Sequence, residues 1–296
     1  MSILQRLNGI KDLPTLPEVA IKIQQIIHSD GGDAGKLAKL VQQDPALTAK
    51  VLQLANSSFY GALANRISSI PMAITRLGFN EIGNIIIATS VINKFSKISK
   101  NLDYAKFWKH ALTAAHMVDI TTKVSTAGFN AEQRQALYLA GLLHDIGILV
   151  YDQFFPEEFN AIIEYAAKNQ ISYIEAESAV APKEGHAAVG AALLEIWKLD
   201  SIIINGVRFH HAPEKTSANL KVITYAVHLS EYILCNSGLG SFEGPITQSS
   251  GNILNELNIS AENLPRYLSE AQNEVEKSDV ILAISKSEPN RILRTV

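Results

Sequence analysis

The sequence predicts an all-α protein, and three observations carry that expectation. Helix start and stop signals recur along the chain, as in Asp44 followed by Pro45, or Ser69 with Pro71 and a closing Gly78. Between these signals apolar residues return at helical spacing. No stretch reads as a strand, a heptad array or an internal repeat.

Taken in order, Asp33 caps a helix running through Val41, and Asp44 opens one that carries Leu47, Val51, Leu54 and Ala55 on one face. The segment SSIPMAITRLG places a third helix between Ser69 and Gly78. From Asn80 to about Phe95 the chain is isoleucine-rich and apolar on most of its circumference, which predicts a central helix. The polar run 96–106, SKISKNLDYAK, marks a boundary between two halves. Helices are expected after it at 107–126, 131–150, 156–168, 172–181, 185–198, 201–211 and 218–236. Residues 237–254 hold Gly238, Gly240, Gly244, Pro245 and Gly251 among serines and read as a long loop. A final helix is expected over 260–284, followed by a frayed end. The expected division is an N-terminal lobe over 1–100, a histidine-bearing lobe over 101–236, and a loop with a helical extension over 237–296.

Composition narrows the functional classes. The chain has 296 residues, 47% hydrophobic and 19% charged, which suits one large or two small folded domains and argues against disorder. No apolar run reaches the roughly 18 residues of a bilayer span, and the N-terminus lacks a signal-peptide core, so a cytoplasmic protein without a membrane partner is expected. The lone Cys235 cannot form an internal disulfide. With 26 basic and 29 acidic residues, net charge −3, nothing global favours nucleic acid. The segment LAKLVQQDPALTAKVLQLANSS has helix-turn-helix spacing, but offers only Lys50, Gln53 and Asn56 as base or phosphate contacts, so a packed helical hairpin is preferred and no DNA is expected.

Histidine placement is more informative. Of eight histidines only His28 precedes residue 110. The sharpest feature is AGLLHDIG, 140–147, where His144 and Asp145 interrupt an apolar helical run. Burying an unpaired carboxylate costs several kcal/mol, on the order of the transfer cost of buried charges, so it needs a partner. Bonds to the backbone or between the two side chains would serve. So would a divalent cation, for which Asp145 offers a hard oxygen able to bridge two metals and His144 a nitrogen. His110 lies on a helix able to pack against the His144 helix; His186 shares an inward face with Val189, Gly190, Leu193 and Trp197; His210 and His211 close the helix before Pro213. Favourable charge at a helix C-terminus is the alternative for that last pair. His116 cannot share a face with His110, and His228 is one turn from Glu231, the better ligand of the two, so both histidines read as packing or surface residues. Iron, zinc, manganese and nickel all suit such an imidazole and carboxylate set.

The spaced set H…HD…H…HH followed by an acidic residue resembles the HD superfamily of metal-dependent phosphohydrolases, which includes the HD-GYP branch. LPTLPEV (13–19), QDPALTAKVLQLANSSFYG (43–61) and ISSIPMAITRLGFNEI (67–82), with FWKH, AGLLHDIG and FHHAP, resemble the HDOD family, the HD-related output domain of bacterial signalling proteins. The resemblance covers roughly residues 13–236. It implies an HD-type helical bundle in the C-terminal lobe and a metal site of His110, His144, Asp145 and Glu231, joined through Asp145 to a second of His186, His210 and His211. Glu231 stands where the superfamily has aspartate. The chain after His211, APEKTSANL, lacks the DGxGYP run of cyclic-dinucleotide hydrolases, and only Lys183, Arg208 and Lys215 stand near the histidines to hold a multiply charged substrate. The expectation is therefore a bacterial signalling or regulatory protein working through protein partners, with a metal-binding pocket. The alternative is a metal-dependent phosphohydrolase, catalytic at Asp145, that attacks a phosphoester or nucleotide with metal-bound hydroxide.

Overall fold

The computed structural model describes residues 2–28, 33–60, 66–95, 101–182, 184–242 and 252–285, and among these every regular element is helical, with no strand. The all-α expectation holds. The chain divides into two units: one of residues 14–96 and 275–296, the other of residues 1–13 and 97–274.

The first of these is built on α2 (Glu18–His28), α3 (Ala34–Gln42), α4 (Pro45–Ala55), α5 (Ile70–Leu77) and α6 (Phe79–Lys94); α1 (Ile3–Leu7) belongs to the other unit. The caps are those the sequence announces. Asp33 accepts from the Lys36 amide, Asp44 from the Ala46 and Leu47 amides with Pro45 in the first turn, and Ser69 from Met72. Gly78 ends α5 at φ +94°, in the left-handed region where a side chain would be strained. α6 is the central helix: Ile82, Ile85, Ile86, Ile87, Val91 and Ile92 are all buried, against α2, α3, α4 and α5. The α3–α4 hairpin uses its polar residues internally. Lys50 Nζ donates to the Ser285 carbonyl at 2.8 Å, and the Asn56 side chain is bonded to the Ile67 N–H and carbonyl, each at 2.8 Å. Two of its three possible nucleic-acid contacts are thereby spent on packing.

The histidine-bearing unit consists of α7 (Tyr104–Val124), α8 (Ala131–Leu143), α9 (Ile146–Phe154), α10 (Pro156–Asn169), α11 (Tyr173–Val180), α12 (His186–Ile196), α13 (Ser201–Arg208), α14 (Lys221–Asn236), α15 (Ile253–Glu256) and α16 (Leu264–Ser285), whose residues from Val275 count with the other unit. α7 packs on α8 and α14, α9 on α12, and α13 on α8, α12 and α14. Three features depart from the sequence expectation. The helix expected over 131–150 is two helices, broken at His144 and Asp145; Asp145 sits at φ −96°, ψ 5°, the bridge region where functional residues are often held. The helix expected to reach 211 stops at Arg208, leaving His210 and His211 in the turn beyond it. α15 begins inside the expected loop 237–254, of which residues 243–251 lie outside the described residues, as do the frayed end expected after 285, Lys183 and the 96–100 part of the expected boundary. Neither α1 nor α2 is among the helices expected from the sequence; α1 opens on a capping box of Ser2 and Gln5, but at five residues it is too short to display a period.

Candidate metal centre

Two pairs of helices pass close enough to bring remote histidines together, and glycine makes each approach. At Gly141 on α8 a β-carbon would lie 2.9 Å from the Ala115 Cα of α7, so the two backbones meet where His110 faces His144. At Gly147 on α9 a β-carbon would stand 2.0 Å from the His186 carbonyl and 2.7 Å from the Gly190 amide. This seats the first turn of α12 on that of α9, with His186 beside Asp145.

Seven side chains converge there. His110 Nε2 is 3.0 Å from His144 Nε2 and 2.9 Å from Glu231 Oε2; His144 Nε2 is 3.2 Å from the same oxygen. Asp145 lies at the middle. Its Oδ1 is 3.4 Å from His144 Nε2, 3.3 Å from His186 Nε2 and 3.7 Å from His210 Nε2, while Oδ2 is 3.5 Å from His110 Nε2. His186 Nε2 completes the set at 3.3 Å from His210 Nε2 and 3.1 Å from His211 Nε2. One ligand atom each from His110, His144, Asp145 and Glu231 fits within 4.8 Å, and so does one each from Asp145, His186, His210 and His211. Asp145 belongs to both groups. All seven expected residues are thus brought together.

In four of the five histidines the other ring nitrogen is committed elsewhere. His110 Nδ1 donates to the Leu239 carbonyl at 2.8 Å, His144 Nδ1 to Gly141 at 2.8 Å, and His210 Nδ1 to Val207 at 2.6 Å. His186 Nδ1 donates to Glu177 Oε2 at 2.8 Å, and its amide N–H to Glu177 Oε1 at 2.7 Å. These bonds fix the tautomer that aims an Nε2 lone pair inward, the usual arrangement behind a metal-ligating histidine. Lone pairs at 3.0 Å repel unless a proton or a cation lies between them. Glu231 Oε2 is buried and has no hydrogen-bond partner, although two imidazoles lie within 3.2 Å. A cation satisfies that oxygen and both rings at once: ligands about 2.1 Å from a first-row ion are separated by roughly 3.0 to 3.4 Å at adjacent vertices. The residues present fit a divalent metal, and Asp145 is placed to touch two.

Among the protein groups alone the electrostatics are strongly polarised. Burial pushes His144 down, but Asp145 and Glu231 outweigh it and hold the ring well above the ordinary imidazole range. Burial likewise opposes Asp145, yet His144 and His186 draw its carboxyl well below the usual value; His110 and His144 do the same for Glu231. His186, buried but flanked by Glu177 and Asp145, is raised to about 10. Burial and neighbouring imidazoles push His210 far down and His211 to about 4. Three buried carboxylates, Asp145, Glu177 and Glu231, therefore sit in one pocket, and cations must offset them.

Sequence reasoning missed several supports. Glu177, on the short α11, orients His186, and no ligand spacing points to it. His228, read as packing or surface, is buried and donates through Nδ1 to the His210 carbonyl at 2.6 Å, bracing the turn that holds His210 and His211. His116 is likewise buried, 3.6 Å from Glu274. Ser241 Oγ donates to Asp145 Oδ2 at 2.7 Å and Cys235 Sγ to Glu231 Oε1 at 2.9 Å. Arg208, one of the basic residues near the histidines, pairs with Glu195 at 2.6 Å. No described helix is long and apolar enough to cross a membrane.

Known proteins share this arrangement of helices. The fold matches an HDOD domain protein of unknown function from Geobacter sulfurreducens at TM-score 0.79 and 24% identity, covering 95% of each chain. It matches a candidate signal transduction protein from Marinobacter aquaeolei VT8 at TM-score 0.73 and 24% identity, over 96% of this chain and 61% of that one. A candidate phosphohydrolase from Shewanella amazonensis SB2B gives TM-score 0.67 at 21% identity, over 94% and 97% of the two chains. In sequence, an uncharacterised protein of Treponema pallidum (strain Nichols) is 28% identical over 225 residues, which are 73% of this chain but only 42% of that longer relative. Residues 13–213 match the HDOD domain, and with two thirds of its length inside that match the chain belongs to the HDOD family.

Proposed function

We propose that this is a signalling or regulatory protein that acts through protein partners and holds two divalent cations in the histidine-bearing unit, one between His110, His144, Asp145 and Glu231, the other between Asp145, His186, His210 and His211. The observation that carries the metal reading is Glu231 Oε2, a buried carboxylate oxygen with no aligned hydrogen bond although His110 Nε2 and His144 Nε2 lie within 3.2 Å of it. The signalling reading is supported by the fold shared with the Marinobacter protein. It is supported also by the cavity beside the ligands, about 30 Å³, lined by Asp145, His186, His211 and Glu231. A buried water needs about 10–15 Å³, so this space takes an ion and a water or two and not a nucleotide.

One observation favours phosphoester hydrolysis as a second reading: a single carboxylate shared by two ligand groups is the arrangement of two-metal hydrolytic sites. Bound metals there would supply Lewis acidity and an acidified water. The protein's part would be to hold Asp145 between the two groups, fix His110, His144, His186 and His210 through their Nδ1 partners, and exclude bulk water.

Elemental analysis of untagged, full-length protein tests the metal, with about two equivalents of iron, zinc, manganese or nickel expected for a bridged pair. Less than about a tenth of an equivalent removes both the metal and the hydrolytic reading. Turnover of p-nitrophenyl phosphate or its diester that disappears in Asp145→Ala replaces the regulatory reading with the hydrolytic one. Metal binding without turnover supports the regulatory one.

A further inference from the structure

The segment after α14 lies across the candidate metal pocket and is bonded to it at Leu239 and Ser241. α14 ends at Asn236, and Gly238, at φ +75°, turns the chain back. The Leu239 carbonyl accepts the His110 Nδ1 proton at 2.8 Å. Gly240 packs against Cys235, where a β-carbon would lie 3.0 Å from Sγ. Ser241 Oγ donates to Asp145 Oδ2 at 2.7 Å, across 96 residues of sequence. The Phe242 ring stacks on Tyr173, centroids 4.3 Å apart and planes 11° from parallel, with its edge toward Phe159. Tyr173 in turn lies beside the His186 ring. Ser241 and Phe242 line the same small cavity as Asp145, His186, His211 and Glu231.

We infer that residues 238–242 form a strap that closes the metal pocket, and that any ligand larger than a water or two reaches the ligand cluster only when the strap lifts. The inference rests on the metal reading for its purpose but not for its geometry. Two properties make the strap a gate. Its root is fixed to the end of α14, where the Gly238 and Leu239 amides donate to the Cys235 and Leu234 carbonyls at 3.2 and 2.8 Å. Gly240 to Phe242, by contrast, are held by one bond to the cluster and one ring stack, and stretches with so few ties are the first to open. Its hydroxyl also occupies the bridging carboxylate: with Ser241 in place Asp145 Oδ2 is engaged, and with the strap lifted that oxygen faces the cavity. Removal of the Phe242 ring exposes the Tyr173 side of the pocket, where His186 and His211 lie. The strap thus couples the exposed turn at Gly238 to the candidate ligand atoms beneath Leu239 and Ser241, so that a partner gripping that turn could open or seal the site.

The test compares the full-length protein with Ser241→Ala/Phe242→Ala, both stripped of metal. Diethyl pyrocarbonate labelling of His211, read by peptide mass spectrometry, should be at least about tenfold faster in the double variant, as expected when local opening limits access. Phe242→Leu, which keeps bulk but loses the stack, should fall between the two and serves if the double variant does not fold. Both proteins are then loaded with cobalt(II) and titrated with inorganic phosphate. The visible spectrum should shift at millimolar phosphate in the double variant and stay unchanged in the wild type. Equal labelling rates in folded wild type and variants overturn the strap and leave the metal reading intact; faster labelling in variants that, like the wild type, take up no cobalt keeps the strap and overturns the metal reading.

Discussion

At the residue scale the pocket depends most on Asp145, which alone serves both ligand groups. Asp145→Ala should therefore lose both metals, whereas Glu231→Ala should lose one and retain the ion held by His186, His210 and His211, as counted by elemental analysis after desalting. Glu177 touches no metal position but sets the His186 tautomer. Glu177→Gln should weaken metal binding about 10- to 100-fold, the range found for partners of ligating histidines, read by competition with a chromophoric chelator. The charge pattern gives a pH signature. In metal-free protein His186, raised to about 10 from 6.5, contributes stability that is complete below pH 6.5 and is lost as pH rises through 10. Asp145 and Glu231, held well below 3.8 and 4.5, contribute stability that is present above those values and lost as pH falls. His210 and His211, pushed below 6.5, add stability that is present above 6.5 and lost as pH falls toward 4, so thermal midpoints measured with chelator should be highest near pH 6.5 and decline on either side. With metal the alkaline decline should disappear, because the cation takes the place of the imidazole proton.

At the element scale, the break between α8 and α9 and the glycine contacts position the ligands. A continuous helix over 131–150 would point His144 and Asp145 about 100° apart, as adjacent helical residues do, and only one could face the cluster. The break lets both do so, and the His144 ring occupies the Gly141 carbonyl left near the end of α8. No proline or turn sequence announces it, because its cause is the convergence of α7, α12 and α14 on those two side chains. The glycines carry a sharper prediction. Gly147→Ala places a methyl group on the His186 carbonyl, so unfolding titrations should show a loss at the upper end of the roughly 1–3 kcal/mol typical of overpacking. Metal content should fall with it. The caps were legible from local sequence alone, and Asp44→Ala should cost about 1 kcal/mol by the same measurement without altering metal content.

At the scale of the whole molecule, the division into two units makes the effect of metal local. All seven candidate ligands belong to the unit of residues 1–13 and 97–274. Metal at 100 times its dissociation constant should stabilise that unit by about 2.7 kcal/mol. Hydrogen exchange should then slow in α7, α8, α9, α12 and α14 while amides of α3 to α6 remain as before. A slowing spread equally over both units would show instead that they open together.

The sequence by itself determined the helical class and most helix limits, and its resemblance to the HD superfamily named the seven candidate ligands. The helices rest on local signals, caps and periodicity, and the cost of leaving His144 and Asp145 unpaired in an apolar run singles out that pair. The tertiary structure decided the rest. It ended α8 at His144 and α13 at Arg208, recruited Glu177 and His228 behind the ring nitrogens, and laid Ser241 on Asp145. The partners that orient a ligand are largely backbone carbonyls and side chains remote in sequence. A carbonyl has no residue-specific signature, and a bond across 129 residues such as His110 to Leu239 leaves no spacing to read.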